Sequence, residues 1–359
     1  ICVKYKVEHW IKISSAFYFT ERMVRLVRNT MNFVDLCRGE FGRKVAYTGV
    51  DRITPQNVVK VVSDTIGIHN RNRTLIDYLY RYMKGDQPIL YRNKIVRPEV
   101  NNRVVENHAF ETVKFKAGQI CGEPIQYVCK KKNADEKINE QVDLLNDYLD
   151  EANADARNIQ RAIYQSATGT SYKAILKEED WTKNGDLPPF RIFIPYPGDC
   201  YIVYSQRNGK PMLSVQILKD EDEQQYYLCY SKNQFFEIKN GKVTNYGING
   251  FGGIPIVECP NNHDRLSDVE IAITLFDAIN KYQSDRLNGV EQFVQSFMKF
   301  KNCEVDKNEF LEMVKLGAIS VKDTGNGCQS DVELMTAELN QSESQVAKDD
   351  IYNLSLIHI

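Results

Sequence analysis

Apolar residues recur at Val269, Ile273, Phe276, Ile279, Leu287, Val290, Val294 and Phe297, close to the helical period. The spacing predicts one helix from Ser267 to about Met298. No proline follows Pro260, and the single interior glycine, Gly289, costs about 1 kcal/mol. Ser267 is placed as N-cap with Glu270 three residues on. In such a capping box the Ser267 hydroxyl accepts from the Glu270 N–H while the carboxylate reaches back to the cap. The helix then covers roughly thirty residues, about 45–50 Å. One small core cannot cover a rod of that length, so it needs neighbours.

Upstream the pattern is first helical. Thr54-Pro55 is a helix start, giving helices from Pro55 to about Ile66 and from Arg71 to Met83, broken by Gly85, Asp86 and Pro88. Asn101-Asn102 open a further helix ending near Gly118 or Gly122, and Pro124 to Val128 reads as a strand. Helices follow over Glu136 to Leu149 and Asn153 to Ser166, then a strand through Leu176. From Phe190 to Glu258 the pattern turns to β, with strands at Arg191 to Ile194, Tyr201 to Tyr204, Leu213 to Leu218, Gln225 to Tyr230, Gln234 to Ile238 and Ile254 to Glu258. Asn208-Gly209 and Asn240-Gly241 are hairpin signals, because both central positions need positive φ. Past the long helix, Glu309 to Leu316 reads as helix, Ala318 to Val321 as strand, and a second long helix begins near Ser342. Two helices flanking a small αβ insertion make a hairpin-like stalk with a knob.

Composition adds exclusions. The formal charge of −2 leaves no broad basic surface, and no run of eighteen apolar residues marks a membrane span. Nine cysteines without a CxxC pair argue against a zinc site or a disulfide framework. Gly247, Gly250, Gly252 and Gly253 precede a strand rather than a helix, which is wrong for a phosphate loop. Asn262, His263, Asp264 and Asp268 read as loop and cap, and no second histidine sits at ligand spacing. His108 near Glu111 reads as a structural histidine on a helix, with no nucleophile motif beside it. The carboxylates Asp220 to Glu223 and Asp349-Asp350 and the basic runs Arg71 to Arg73 and Lys130 to Lys132 suit solvated faces. The reading is therefore no catalytic residue, no cofactor and no metal.

Several strings, in order, resemble one family. They are Tyr82 to Ile89, Asn101 to Asn107, Gly122 to Tyr127, Gly169 to Tyr172 and Gly253 to Glu258. Asn261-Asn262 through Ser267-Asp268-Val269-Glu270, then Leu275, Asp277, Asn280 and Ser284-Asp285, complete the set. Over roughly Val50 to Leu354 the chain resembles portal proteins of long-tailed bacteriophages, of the siphovirus type found in Gram-positive hosts. The resemblance implies an α+β portal fold, here incomplete. Residues 1–50 are left undefined, 51–258 form a wing of helices and β-meander, 259–298 a loop and first stem helix. Residues 299–337 form a small αβ clip, and 338–359 the truncated start of a second stem helix, with the last five residues not counted as native.

It also implies a structural, non-enzymatic role. A dodecameric ring at one capsid vertex of the virion, assembled in the host cytoplasm, passes double-stranded DNA during packaging and ejection. The terminase large subunit, head–tail connector, major capsid and scaffolding proteins are the expected partners, with no membrane. On that reading Val269, Ile273, Phe276, Ile279, Leu287, Val290 and Val294 form the subunit interface. Lys281, Asp285, Arg286 and Glu291 are candidates to face the channel, and Lys301, Lys307, Glu309 and Lys322 to dock motor or connector. A bore that lets DNA slide should avoid many Lys and Arg contacts to phosphate. Two other readings stand beside it: a monomeric adaptor whose long helix binds one partner, and a metal-dependent nuclease using the paired carboxylates. The apolar pattern drifts from a heptad, against the adaptor.

Overall fold

The computed structural model describes residues 32–95, 98–129, 136–178, 188–294, 297–301, 331–335 and 341–357, with Thr182, Asp306 and Asn308. The first described helix, α1 (Phe33–Cys37), starts on Asn32, whose side chain accepts from the Asp35 N–H at 2.9 Å. A short strand, β1 (Ala46–Thr48), follows. Residues 33–48 look featureless in sequence, yet Phe33, Cys37 and Ala46 are buried in the body of the chain. Three alternating residues are too few to register as a strand pattern.

Helix α2 (Val58–Met83) is one continuous element of 26 residues, where the sequence suggests two. The expected break near Gly67 is bridged by tertiary contact. His69 is buried, its Nε2–H donates to the Gly198 carbonyl at 2.8 Å, and its ring stacks on Tyr201 at 4.6 Å. That hold outweighs the modest helix cost of one glycine. The helix therefore serves two cores. Its first half, through Val58, Val61 and Val62, lies on a sheet, and its second half, through Leu75, Leu79 and Tyr82, lies among helices.

Residues 101–107 are not helical. Helix α3 (His108–Cys121) begins only after Asn107, whose side chain accepts from the Phe110 N–H. The strand expected at Pro124 to Val128 is not formed within the chain. Helices α4 (Glu136–Glu151) and α5 (Ala154–Thr168) follow. Gly169 ends α5 at φ +85°, and a Cβ there would meet the Arg265 carbonyl oxygen at 2.1 Å. Glycine is required both for the turn and for that approach.

The strands are β2 (Thr170–Lys177), β3 (Phe190–Phe193), β4 (Cys200–Ser205), β5 (Pro211–Lys219), β6 (Gln225–Tyr230), β7 (Gln234–Lys239), β8 (Lys242–Ile248) and β9 (Ile256–Pro260). They form a six-stranded sheet in the order β1-β4-β5-β6-β7-β8 and a three-stranded sheet β3-β2-β9. All ladders are antiparallel except β1 on β4. The Asn240-Gly241 turn takes positive φ at both residues and yields β8, which the sequence pattern does not reveal. Tyr172, Ala174, Cys200, Ile202 and Ile256 join the two sheets.

The long helix is α6 (Asp268–Val294), followed by β10 (Phe297–Lys301). That strand pairs antiparallel with β11 (Asp331–Met335), from Phe297 opposite Met335 to Lys301 opposite Asp331. The chain then returns as α7 (Gln341–Ile357). The helix and strand expected at Glu309 to Leu316 and Ala318 to Val321 lie outside the described residues, as do Lys130 to Lys132. The architecture is α+β, with α6 and α7 packed against each other and the β10–β11 ribbon between them in the chain.

Candidate functional site: the long helix and its strap

Helix α6 is anchored at its start by buried polar groups. The Ser267 hydroxyl accepts from the Val269 N–H at 3.0 Å, and the Glu270 carboxylate accepts from the Ser267 N–H at 3.2 Å. Cap and back-reach are those of the capping box, but the hydroxyl serves Val269 rather than Glu270. Glu270 also accepts from the Gly42 N–H at 2.6 Å and pairs with the buried Arg43 guanidinium. Burial pushes the Arg43 pKa down while Glu270 opposes it. Asp268 takes Lys116 at 2.8 Å, the Ser166 hydroxyl at 2.6 Å and the Asn261 side chain at 3.0 Å. The Asn262 to Asp268 cluster is thus a helix anchor. Among the described residues no group of His, Cys, Asp or Glu could hold a metal.

Just ahead of the helix, Glu258 receives a two-pronged Arg265 contact at 2.8 and 2.9 Å, the Tyr204 hydroxyl at 2.6 Å and the Thr170 hydroxyl at 2.9 Å. Burial raises its pKa, but these bonds outweigh it and leave the carboxyl below its ordinary range. The network pins the loop that feeds α6 to the sheet.

The next stretch corrects an expectation. Val269, Ile273, Phe276 and Ile279 are fully buried within the single chain. Val269, Ile273 and Phe276 share a core with Phe33, Tyr78, Leu79, Tyr82, Ala109, Val113 and Ala167. Their apolar stripe is spent on the chain's own helices, so these four residues are not a subunit interface. Leu287 and Val290 on the same helix are exposed. The Val294 side chain lies outside the described residues.

At Asp277 the contacts change from apolar to polar. Tyr82 donates to Asp277 at 2.9 Å, and burial pushes the Asp277 pKa up to about 6 against that bond. Beyond it, alternate backbone N–H groups of the 101–107 strap donate to side chains four residues apart on α6. Glu106 donates to Asn280 Oδ1 at 2.7 Å, Val104 to the Ser284 hydroxyl at 3.0 Å and Asn102 to Asn288 Oδ1 at 2.7 Å. Two residues of extended chain advance about 6.6 Å, while four residues of helix rise about 6.0 Å. The mismatch is about 0.6 Å per rung, which is tolerable over three rungs and not over many. Gln87 pairs with Asn280, and Glu291 accepts from the Asn102 side chain at 2.7 Å. Three small polar residues at i, i+4 and i+8, Asn280, Ser284 and Asn288, are the sequence signal for this seam.

The remaining candidates sort by partner. Lys281 is exposed. Asp285 pairs with Arg92, Arg286 donates to Gln345 at 3.0 Å, and Glu291 is held by the strap. Three of the four channel candidates are therefore engaged inside the chain. Lys348 of α7 reaches Glu106 at 2.9 Å and Tyr352 lies 4.6 Å from the His108 ring, so the returning helix packs against the strap and α3. His108 itself bridges Glu106 and Glu111. The docking candidate Lys301 lies in β10, its side chain undescribed, and Lys307, Glu309 and Lys322 fall outside the described residues. Among the described residues no helix is long and apolar enough to cross a membrane.

An α+β body with a strapped helix, a ribbon and a returning helix is what the geometry defines. Residues 63–355, about four-fifths of the chain, match the family described as phage portal protein, SPP1 Gp6-like. The chain belongs to that family, whose members are structural proteins of phage particles. No curated protein matches it. A solved structure similar to it is a chain of the "Neck of native GTA particle computed with C12 symmetry", at 12% identity and a TM-score of 0.34. The alignment covers 69% of this chain and 63% of that one, so this chain spans less than two-thirds of that relative. The likeness is too loose to reason from.

Proposed function

We propose that the chain is a ring-forming portal subunit, set at the capsid vertex of a virion, through which phage DNA is packaged and ejected. The match to the portal family over residues 63–355 carries this reading. The geometry supports it: the start of α6 is fixed in the core of the subunit, and α6 and α7 pack against each other with the β10–β11 ribbon between them in the chain. In a ring, the exposed Leu287 and Val290 of α6, with Val346 and Leu354 of α7, form the contact between copies. A closed ring needs two different surfaces that fit each other, not one self-complementary patch. The terminase motor and head–tail connector dock on the clip, and Lys281 faces the DNA. Scaffolding and major capsid proteins meet the ring during assembly in the host cytoplasm.

Mass measurement and negative-stain imaging of the full chain test this reading. Closed rings with a central opening are the expected result. A monodisperse monomer at micromolar concentration refutes it.

A further inference from the structure

Residues 124–128 read as a strand in sequence but make no backbone–backbone hydrogen bond among the described residues. Ile125, Tyr127 and Val128 are exposed, Val128 at 83%. One residue shows what the segment lacks. The Tyr127 N–H donates to Asn146 Oδ1 and the Tyr127 carbonyl accepts from Asn146 Nδ2, both at 3.0 Å. The α4 side chain supplies the pair of bonds that a neighbouring strand would supply, at one position and on one side. In a strand the adjacent residues, Gln126 and Val128, turn their backbone groups the other way.

A second unpaired feature lies elsewhere in the fold. Strand β8 ends the six-stranded sheet, bonded to β7 on one side and, among the described residues, to no strand on the other. It is seven residues long. Such an edge is ordinarily blunted by brevity, proline or charge. Here it carries one lysine, Lys242, and leaves Tyr246 and Ile248 exposed on one face, Ile248 at 86%. Large side chains left in water beside open backbone groups mark a surface that is covered in the assembled state.

We propose that residues 124–128 of one copy add as a strand to β8 of the next. The partner is a second copy of this chain, because the described residues carry both halves: a strand-forming segment outside any sheet and a sheet edge with no strand on it. The halves differ, so the contact is head-to-tail and propagates around a ring. Charge favours the match, since Glu123 precedes the segment and Lys242 opens β8. Ile125 and Tyr127 share one face of a strand, as do Tyr246 and Ile248, so pairing buries four large side chains together. This contact lies in the body of the subunit, separate from the α6–α7 hairpin, and rests on the ring-forming reading above.

The test mixes two full-length variants made in a Cys129→Ser background, Gln126→Cys and Asn245→Cys, with a short thiol-to-thiol crosslinker. The expected product is a covalent pair containing one chain of each variant, absent when either is treated alone. In parallel, Tyr246→Lys with Ile248→Lys should weaken assembly at least tenfold at an unchanged melting temperature. Closed rings that yield no mixed crosslink overturn the strand addition and leave the portal reading standing. Absence of any assembly from the unmodified chain overturns both. Crosslinks between like variants alone also overturn it, since they show a self-complementary contact.

Discussion

Asp277 sits where α6 leaves its apolar core, and its environment favours the neutral acid. Its pKa rises to about 6 through burial, so between the unfolded value near 4 and that figure the folded chain holds a proton the unfolded chain has lost. Stability therefore falls as pH rises across this window, by up to about 3 kcal/mol in full. Asp277→Asn keeps an acceptor for Tyr82 and removes the titration. In denaturant melts from pH 4 to 7, the stability of the parent relative to that of the variant should fall as pH rises, the His69 contribution being common to both. His69 works in the opposite direction. Burial pushes its pKa down to about 4, so its contribution is intact above pH 6.5 and is lost as pH falls toward 4. The acid limb of the stability profile should flatten in His69→Phe.

On the scale of the elements, α6 is two helices in energetic terms. Above Asp277 it is held by close packing, and Phe276→Ala should cost about 3–5 kcal/mol, read as a lower denaturation midpoint. Below it the strap holds by hydrogen bonds. Changing Asn280, Ser284 and Asn288 together to Ala raises helix propensity while removing three acceptors. Amide exchange should then quicken about tenfold or more at Asn102, Val104 and Glu106, and stay slow at Ile273 and Phe276. The apolar period of α6 was legible in the sequence, and so were its cap, most strands and the returning helix. Which neighbour fills the apolar stripe was not, because periodicity reports that a face is buried and is silent on whether the partner is α2 or another copy. Residues 101–107 read as helix in sequence and are not, because their bonds go to side chains 174–186 positions away, which local propensity does not register. β1 and β8 escaped for related reasons: one is three residues long, and the other is largely exposed on both faces.

For the whole molecule, the buried and exposed parts of α6 divide folding from assembly. Leu287→Asp should leave the melting temperature within a few degrees of the parent, since Leu287 is exposed at 46%, and should reduce the ring fraction seen in mass measurement. Phe276→Asp should instead abolish the folded state, because an unpaired charge would replace a fully buried ring. Equal behaviour of the two variants would count against the division. The site was only partly readable in advance. The family strings include the loop that feeds α6, whereas the charged channel candidates are mostly committed to partners within the chain.

The strap and the helix advance by unequal steps, and together they behave as a vernier. Only one alignment brings all three amides onto their acceptors at once. Sliding the strap by one residue turns every donor away, and sliding by two leaves a rung empty at one end. The register of α6 against the strap is thus set in discrete notches. Any slide of α6 along the strap would proceed as a jump between settings, not as a continuous glide.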